Sequence, residues 1–372
     1  MKPLVLVTGG AGFIGSHLVE LLLERGYPVR VYDKLVEQVH DGSPPKYLAE
    51  EAEFVHADMR DVDALRRALK GVGAILHEAA EVGVGQSMYE IVRYVEANTG
   101  GTAVLLELLV NEAHAIEKIV VASSMSIYGE GAYRCERHGE VYPRLRSEDQ
   151  LARQEWAIRC PRCGEEVRPV PTHEEKPLFP TSIYAISKLD QELMCLSVGQ
   201  AYGIPVTALR YFNTYGPRQA LSNPYTGVAA IFSARLLNGR PPIVFEDGRQ
   251  SRDFVHVNDI ARANLLALES DAANGEAINV GTGRSTSILE IARALARELA
   301  VEIEPEVVGQ YRAGDIRDCI ADVSKARALL GFEPEVRLED GIADLVAWVR
   351  EQEAVDRVDP ARAELERRGL AR

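Results

Sequence analysis

Short apolar runs alternate along this chain with longer stretches in which apolar residues return every three or four positions. The run Leu4 to Val7 is short and bounded by glycines, which predicts a strand, and the spacing from Phe13 to Arg25 predicts a helix. The alternation continues. PVRVYD, AEFVHAD, GAILHEAA and EKIVVASS read as strands, whereas VDALRRALKG and the longer ANTGGTAVLLELLVNEA read as helices. Strands that alternate with helices in this way predict an α/β protein with a doubly wound parallel sheet, whose ligands sit at the carboxyl ends of the strands.

Composition narrows the class of ligand. With 42 basic against 56 acidic residues the formal charge is −14, which argues against a surface that tracks nucleic-acid phosphates. No apolar run approaches the roughly 18 residues needed to cross a bilayer, and the first strand lacks the flanks of a secretory signal, so a cytoplasmic location is expected. Small molecules are the expected partners. The 372 residues allow two or three domains.

Between the first strand and helix lies TGGAGFIG. Gly9, Gly12 and Gly15 suit a tight turn, close approach of backbone to a pyrophosphate, and close packing of helix on strand, while Phe13 and Ile14 open the helix whose N-terminus faces the phosphates. Asp33 ends the second strand, where a carboxylate accepts hydrogen bonds from the adenosine ribose and repels a 2′-phosphate; NAD is therefore favoured over NADP, with Lys34 weakening the preference slightly. Asp58 and Met59 follow the third strand and Ala79 and Ala80 the fourth, at the ends where such sheets hold cofactors. Further on, SIYAISK places Tyr184 and Lys188 four apart, on one helix face. An ammonium and a positive nicotinamide ring would favour a tyrosine phenolate, able to take a proton from a sugar hydroxyl, and Ser124 at the end of the fifth strand could share or relay that proton.

With these motifs in place, the chain resembles the extended short-chain dehydrogenase/reductase family, whose fold is Rossmann-type, and within it the nucleotide-sugar epimerases and dehydratases. HEAA, EANTGGT, SSMSIYG, YAISK, RYFNTYGPRQ, RDFVHVNDI, NVGTG and RAGD carry the resemblance over nearly the whole length. It implies tightly held NAD, contacts to it from Asn98 and from Tyr211 beside the nicotinamide, catalysis by Ser124, Tyr184 and Lys188, and a homodimer formed through the long helices beginning near Asn98 and Ser182. For a nucleoside diphosphate sugar it implies Ser126, Asn213, Arg252, Arg312 and Asp315, with Cys319 beside the sugar as a small residue that admits bulk. Dehydratases of the family carry Asp-Glu directly after the catalytic Ser or Thr; here Met125 and Ser126 stand there. The implied reaction is therefore 4-epimerisation on a dTDP- or UDP-linked hexose or deoxyhexose. A net reductase of 4-keto sugars and a non-catalytic binding protein are the alternatives.

The segment between the catalytic serine and tyrosine is longer than such relatives need. Within it Cys135, His138 and Gly139 mirror Cys160, Cys163 and Gly164, and two such knuckles suit a closed structural zinc site. His173 is the reserve ligand; a redox Cys-x-x-Cys or plain reduced cysteines are the other readings. The expected domains are a Rossmann-type NAD-binding domain over 1–130, continued by about 179–212 and 249–281, a zinc-binding insertion over 131–178, and a smaller, discontinuous α/β substrate domain over 213–248 and 282–350. Residues 351–372 are expected to be a charged tail, either a solvated helix or frayed.

Overall fold

The computed structural model describes residues 2–40 and 42–372. In chain order its central elements are β1 (Leu4–Thr8), α1 (Phe13–Glu24), β2 (Val29–Asp33), β3 (Glu53–His56), α2 (Val62–Ala68), β4 (Val72–His77), α3 (Gly101–Asn111), β5 (Lys118–Ser124), α4 (Ile183–Tyr202), β6 (Val206–Tyr211), α5 (Val257–Glu269) and β7 (Ala277–Val280). The seven strands form one parallel sheet in the order β3-β2-β1-β4-β5-β6-β7. Strand order reverses between β1 and β4, and a crevice opens there at the carboxyl ends. Every residue of β4 and β5 is buried, as befits parallel strands covered on both faces. One face carries α1 and α5 with Leu18, Leu22 and Ile260 in its core. The other carries α3 and α4, with Leu105, Leu109 and Cys195 beneath them.

The long helical stretch expected over 97–113 is continuous but not uniform. A π-helical turn spans Val95–Gly100 before α3 begins. Within it Asn98 is fully buried. Its amide donates to Glu81 O at 3.0 Å and to Ser187 Oγ at 2.9 Å and accepts from Glu81 N at 2.7 Å. A widened turn of this kind often marks a functional region. Here it pins the loop after β4 to the helix that carries the tyrosine.

A second lobe packs helices Val228–Leu237, Ile288–Leu299 and Leu338–Val349 around Phe232, Leu295 and Leu345. Ser287 and Glu290 close the start of the middle helix as a capping box. The short strand Ser251–Arg252 runs between Thr286–Ser287 and Asp318–Cys319, and the two discontinuous parts of this lobe meet where Ile243–Val244 pairs with Glu306–Val307. The segment between β5 and α4 makes a separate antiparallel sheet, with Ala132–Cys135 flanked by Gly139–Val141 and Arg168–Val170. Residues 358–367 are helical as expected. They are not frayed, however: Leu365 is buried, and the strand-like end beyond it pairs with residues 311–313.

Candidate active site

A cleft of about 450 Å³ lies at the carboxyl ends of the sheet. Gly9, Gly12, Phe13, Ile14, Gly15, Asp33, Asp58, Met59, Ala79, Ala80, Ser124, Ser126, Tyr184, Tyr211 and Asn213 all line it, which brings together most of the residues expected from sequence. The glycine loop has the form that a dinucleotide requires. Gly9 adopts φ +69° with its α-carbon against Ala79, where a β-carbon would come within 2.8 Å of backbone. At Gly15 a β-carbon would lie 2.2 Å from Gly9 O, so helix and turn could not pack. Gly12 faces only its own loop, at 3.2 Å, and leaves the cleft open to a pyrophosphate. These residues fit NAD.

Asp33 is held in place by the backbone. One carboxylate oxygen accepts from Ala11 N at 3.1 Å and the other from Leu35 N at 2.8 Å, leaving lone pairs for ribose hydroxyls. Lys34, which weakened the expected preference for NAD, is committed elsewhere: its ammonium lies 2.7 Å from Glu81, which also takes Arg93 at 2.7 Å. With that lysine neutralised, Asp33 should govern the choice. Exchange with NADP is expected to leave the protein loaded with NAD, and a competition titration showing equal affinity for both would refute the assignment.

Ser182 caps α4 by accepting from Ala185 N at 3.1 Å. The cap sets the first turn, so Tyr184 emerges at the mouth of β5 and Lys188 lies one turn deeper. Ser126 donates to Ser124 Oγ at 2.9 Å, and Ser124 and Tyr184 face the same cleft. Burial raises the Tyr184 phenol above its ordinary range, with the serine hydroxyl pulling the other way. Without help this tyrosine stays protonated, so a cation must be near for it to act as a base. Lys188 is buried and donates to Gln191 Oε1 at 2.8 Å; burial brings its ammonium down to about 8 against the opposing pull of Glu78.

Glu78, within HEAA, also lines the cleft, which the sequence alone does not single out. It accepts from the Tyr211 hydroxyl at 2.8 Å, and Asn264 donates to the same hydroxyl at 2.7 Å. Burial pushes Glu78 up to about 7, although the Tyr211 hydrogen bond and Lys188 oppose the rise. An acid inside an otherwise apolar strand end was the available signal.

Five expected site residues besides Cys319 sit off the cleft wall. Lys188 and Asn98 lie behind it, as supports. Arg252 is turned inward, donating to Ser251 O, Arg317 O and Ile316 O at 2.7–2.9 Å and to Asp315 at 3.2 Å. Arg312 grips the other oxygen of Asp315 at 2.7 Å and stacks 4.8 Å from the Phe245 ring. These three residues form one cluster on the second lobe. Cys319 belongs to the main core, 1% exposed with its thiol 3.9 Å from Thr172 Oγ1, and does not line the cleft. The strand Asp318–Cys319 is covered by the insertion, with Gly131 N donating to Asp318 O at 2.8 Å.

The insertion brings its two knuckles together. Cys135 Sγ lies 3.5 Å from His138 Nδ1 and 3.7 Å from Cys163 Sγ, and Cys160 Sγ lies 3.5 Å from His138 Nδ1. All four ligand atoms fall within 4.8 Å of one another. A tetrahedral zinc with bonds of ~2.3 Å to sulfur and ~2.0 Å to nitrogen requires edges of about 3.5 to 3.8 Å, so the donor set fits that ion. Gly139 and Gly164 adopt φ +69° and +76° with open space around them, the left-handed turn that lets each knuckle double back. Burial pushes the Cys160 thiol up, but N–H groups of Arg162 and Cys163 and the neighbouring thiols outweigh it and bring it down to about 6. His173, the reserve ligand, is engaged elsewhere, 2.9 Å from Glu140 and 3.0 Å from Glu175.

With this geometry established, the chain belongs to the NAD dependent epimerase/dehydratase family, whose model matches residues 5–146 and 163–281. The break in that match falls within the insertion. The chain is 37% identical over 351 residues to a dTDP-L-rhamnose 4-epimerase of Burkholderia thailandensis, an alignment covering 94% of this chain and 95% of the relative. Among solved structures it is similar to the UDP-glucose 4-epimerase of Thermotoga maritima with UDP-glucose, at 34% identity and TM-score 0.76, covering 94% and 99% of the two chains. It is likewise similar to the Thermus thermophilus UDP-glucose 4-epimerase in complex with NAD, at 33% identity and TM-score 0.74, covering 94% and 100%.

Proposed function

We propose that this protein is an NAD-dependent 4-epimerase of a dTDP- or UDP-linked hexose or deoxyhexose. The observation that carries the reading is that Ser124, Ser126 and Tyr184 line one cleft with the glycine loop and Asp33, Ser126 donating to Ser124 Oγ at 2.9 Å, with no carboxylate at positions 125 and 126. Gly9, Gly12, Asp33, Tyr184, Lys188 and Tyr211 would hold NAD, which when bound supplies a hydride acceptor that becomes the donor for the return. Tyr184, as phenolate, takes the proton of the sugar's C4 hydroxyl as the C4 hydride leaves, and C4 becomes a ketone. Ser124 holds that oxygen during the transfer. Once the ketone has turned its other face, Tyr184 gives the proton back, so no net oxidant or reductant is consumed. Met125 and Ser126 cannot remove a proton at C5 and expel the C6 hydroxyl, which disfavours dehydration.

The test is incubation with a panel of nucleotide sugars, without added reductant, followed by NMR. A 4-epimer is expected; turnover only with NAD(P)H would favour the reductase alternative.

The same reading includes structural zinc at Cys135, His138, Cys160 and Cys163, supported by the spacing of the donors. It also includes a homodimer. Ile91, Val92, Val95, Ile186 and Leu193 are 41–67% exposed around the two long helices, an apolar surface that a second copy would cover. Sedimentation at micromolar concentration should show a dimer, and a monomer would count against it. No helix among the described residues is long and apolar enough to cross a membrane.

A further inference from the structure

The segment after Val355 touches both lobes and the insertion. At its start, Asp356 and Asp359 take Arg235 at 3.4 and 2.7 Å and Arg240 at the same distances, tying it to the second lobe. Asp356 and Arg235 are nearly enclosed, at 3% and 5% exposure. In the helix that follows, Leu365 is the buried residue, and its methyl groups lie 3.4–3.6 Å from where Gly85 would carry a β-carbon. Gly85 belongs to the short helix Val84–Ser87 after β4, which lines the cofactor cleft through Val84 and the preceding Gly83. Arg368 stacks 4.2 Å from the Tyr89 ring, whose hydroxyl lies 2.6 Å from that of Tyr225, another residue of the cleft wall. The last residues then run antiparallel to 311–313. Tyr311 N donates to Arg372 O at 2.9 Å, Arg372 N to Tyr311 O at 3.0 Å, and Ala313 N to Leu370 O at 2.8 Å. Arg312 is the residue between those pairs. Finally, Arg372 reaches Glu148 of the insertion at 2.7 Å.

We propose that residues 356–372 form a strap across the rim of the nucleotide-sugar cleft and position Arg312 for the nucleoside diphosphate. This rests on the reading that Arg312 and Asp315 serve such a ligand. Exposed ion pairs alone would fix little. Backbone pairing on both sides of Arg312, however, removes freedom that the arginine would otherwise lose on binding, and preorganisation of this kind strengthens affinity. Because Leu365 and Arg368 rest on the cofactor lobe while the helix start is tied to the second lobe, the strap also holds together the two walls between which the ligand must lie. Its residues are positioning residues, since none of them lines the cofactor cleft.

Two variants test this: deletion of residues 356–372, and Leu365→Asp, which keeps the segment but breaks its seat on Gly85. UDP and dTDP binding would be measured by calorimetry, with NAD and zinc content and the thermal transition followed alongside. Both variants are expected to keep NAD and zinc, to bind the diphosphate roughly tenfold more weakly, and to show the loss in KM with kcat little changed. Unchanged or tighter diphosphate binding in both would overturn the proposal. Should the deletion fail to fold, Leu365→Asp decides by the same criterion. If the intact protein binds neither diphosphate, the reading of Arg312 and Asp315 fails first and the strap's role falls with it. Binding by the intact protein with no difference in the variants refutes the strap alone.

Discussion

Tyr184→Phe is expected to fold, to keep its bound NAD and to turn over nucleotide sugar at least roughly a hundredfold more slowly, a rise of about 2.7 kcal/mol in the barrier. The substitution keeps the ring and removes only the oxygen that exchanges a proton with the sugar's C4 hydroxyl. Folding should be unaffected, because the ring and its packing are kept and Ser124 Oγ has its own partner in Ser126 at 2.9 Å. KM should change little, since the lost interaction acts in the transition state. Steady-state kinetics with NAD content measured on the same preparation would check this. A near-native rate would remove Tyr184 from the proton transfer.

The second large effect concerns the knuckles. Replacing Cys160 and Cys163 by serine is expected to abolish binding of about one zinc per chain and to disorder the insertion while the parallel sheet stays folded. The insertion's own apolar core is Tyr133, Val141, Ile158 and Val167 with the cysteines themselves, too little to fold a segment alone. The seven-stranded sheet has its own cores on both faces, which share no residue with the insertion's cluster. Elemental analysis would report the zinc, and hydrogen exchange over residues 132–170 against 118–124 would report the selective loss of order. Protein purified without chelator and free of zinc would refute the metal assignment.

Much of the cofactor half could be read directly. Strand period, glycine spacing and the Tyr184–Lys188 interval are local properties, set by φ/ψ limits and by the 3.6-residue turn, so they survive without knowledge of the fold. The knuckles were legible for the same reason, because each Cys-x-x-ligand-Gly unit is a local turn. Glu78 was not assigned from sequence, since its significance depends on Tyr211 and Lys188 arriving from other elements. Cys319 lies on a strand that the insertion covers, a contact between segments far apart in sequence that no motif count reveals. The last helix looked like a solvated tail because its charges dominate its pattern, and the one apolar side chain that docks it, Leu365, gives no periodic signal.

The sequence by itself determined the class of fold, the glycine loop, the Tyr184–Lys188 interval and the two Cys/His knuckles, each of which depends on near neighbours in the chain. Tertiary structure alone decided the rest. It turned Arg252 inward onto backbone carbonyls, neutralised Lys34 with Glu81, set His173 aside from the knuckles, and laid residues 370–372 against Arg312. Each of these is a pairing between groups far apart in sequence, chosen by which buried polar group most needed a partner, and no local pattern encodes that competition.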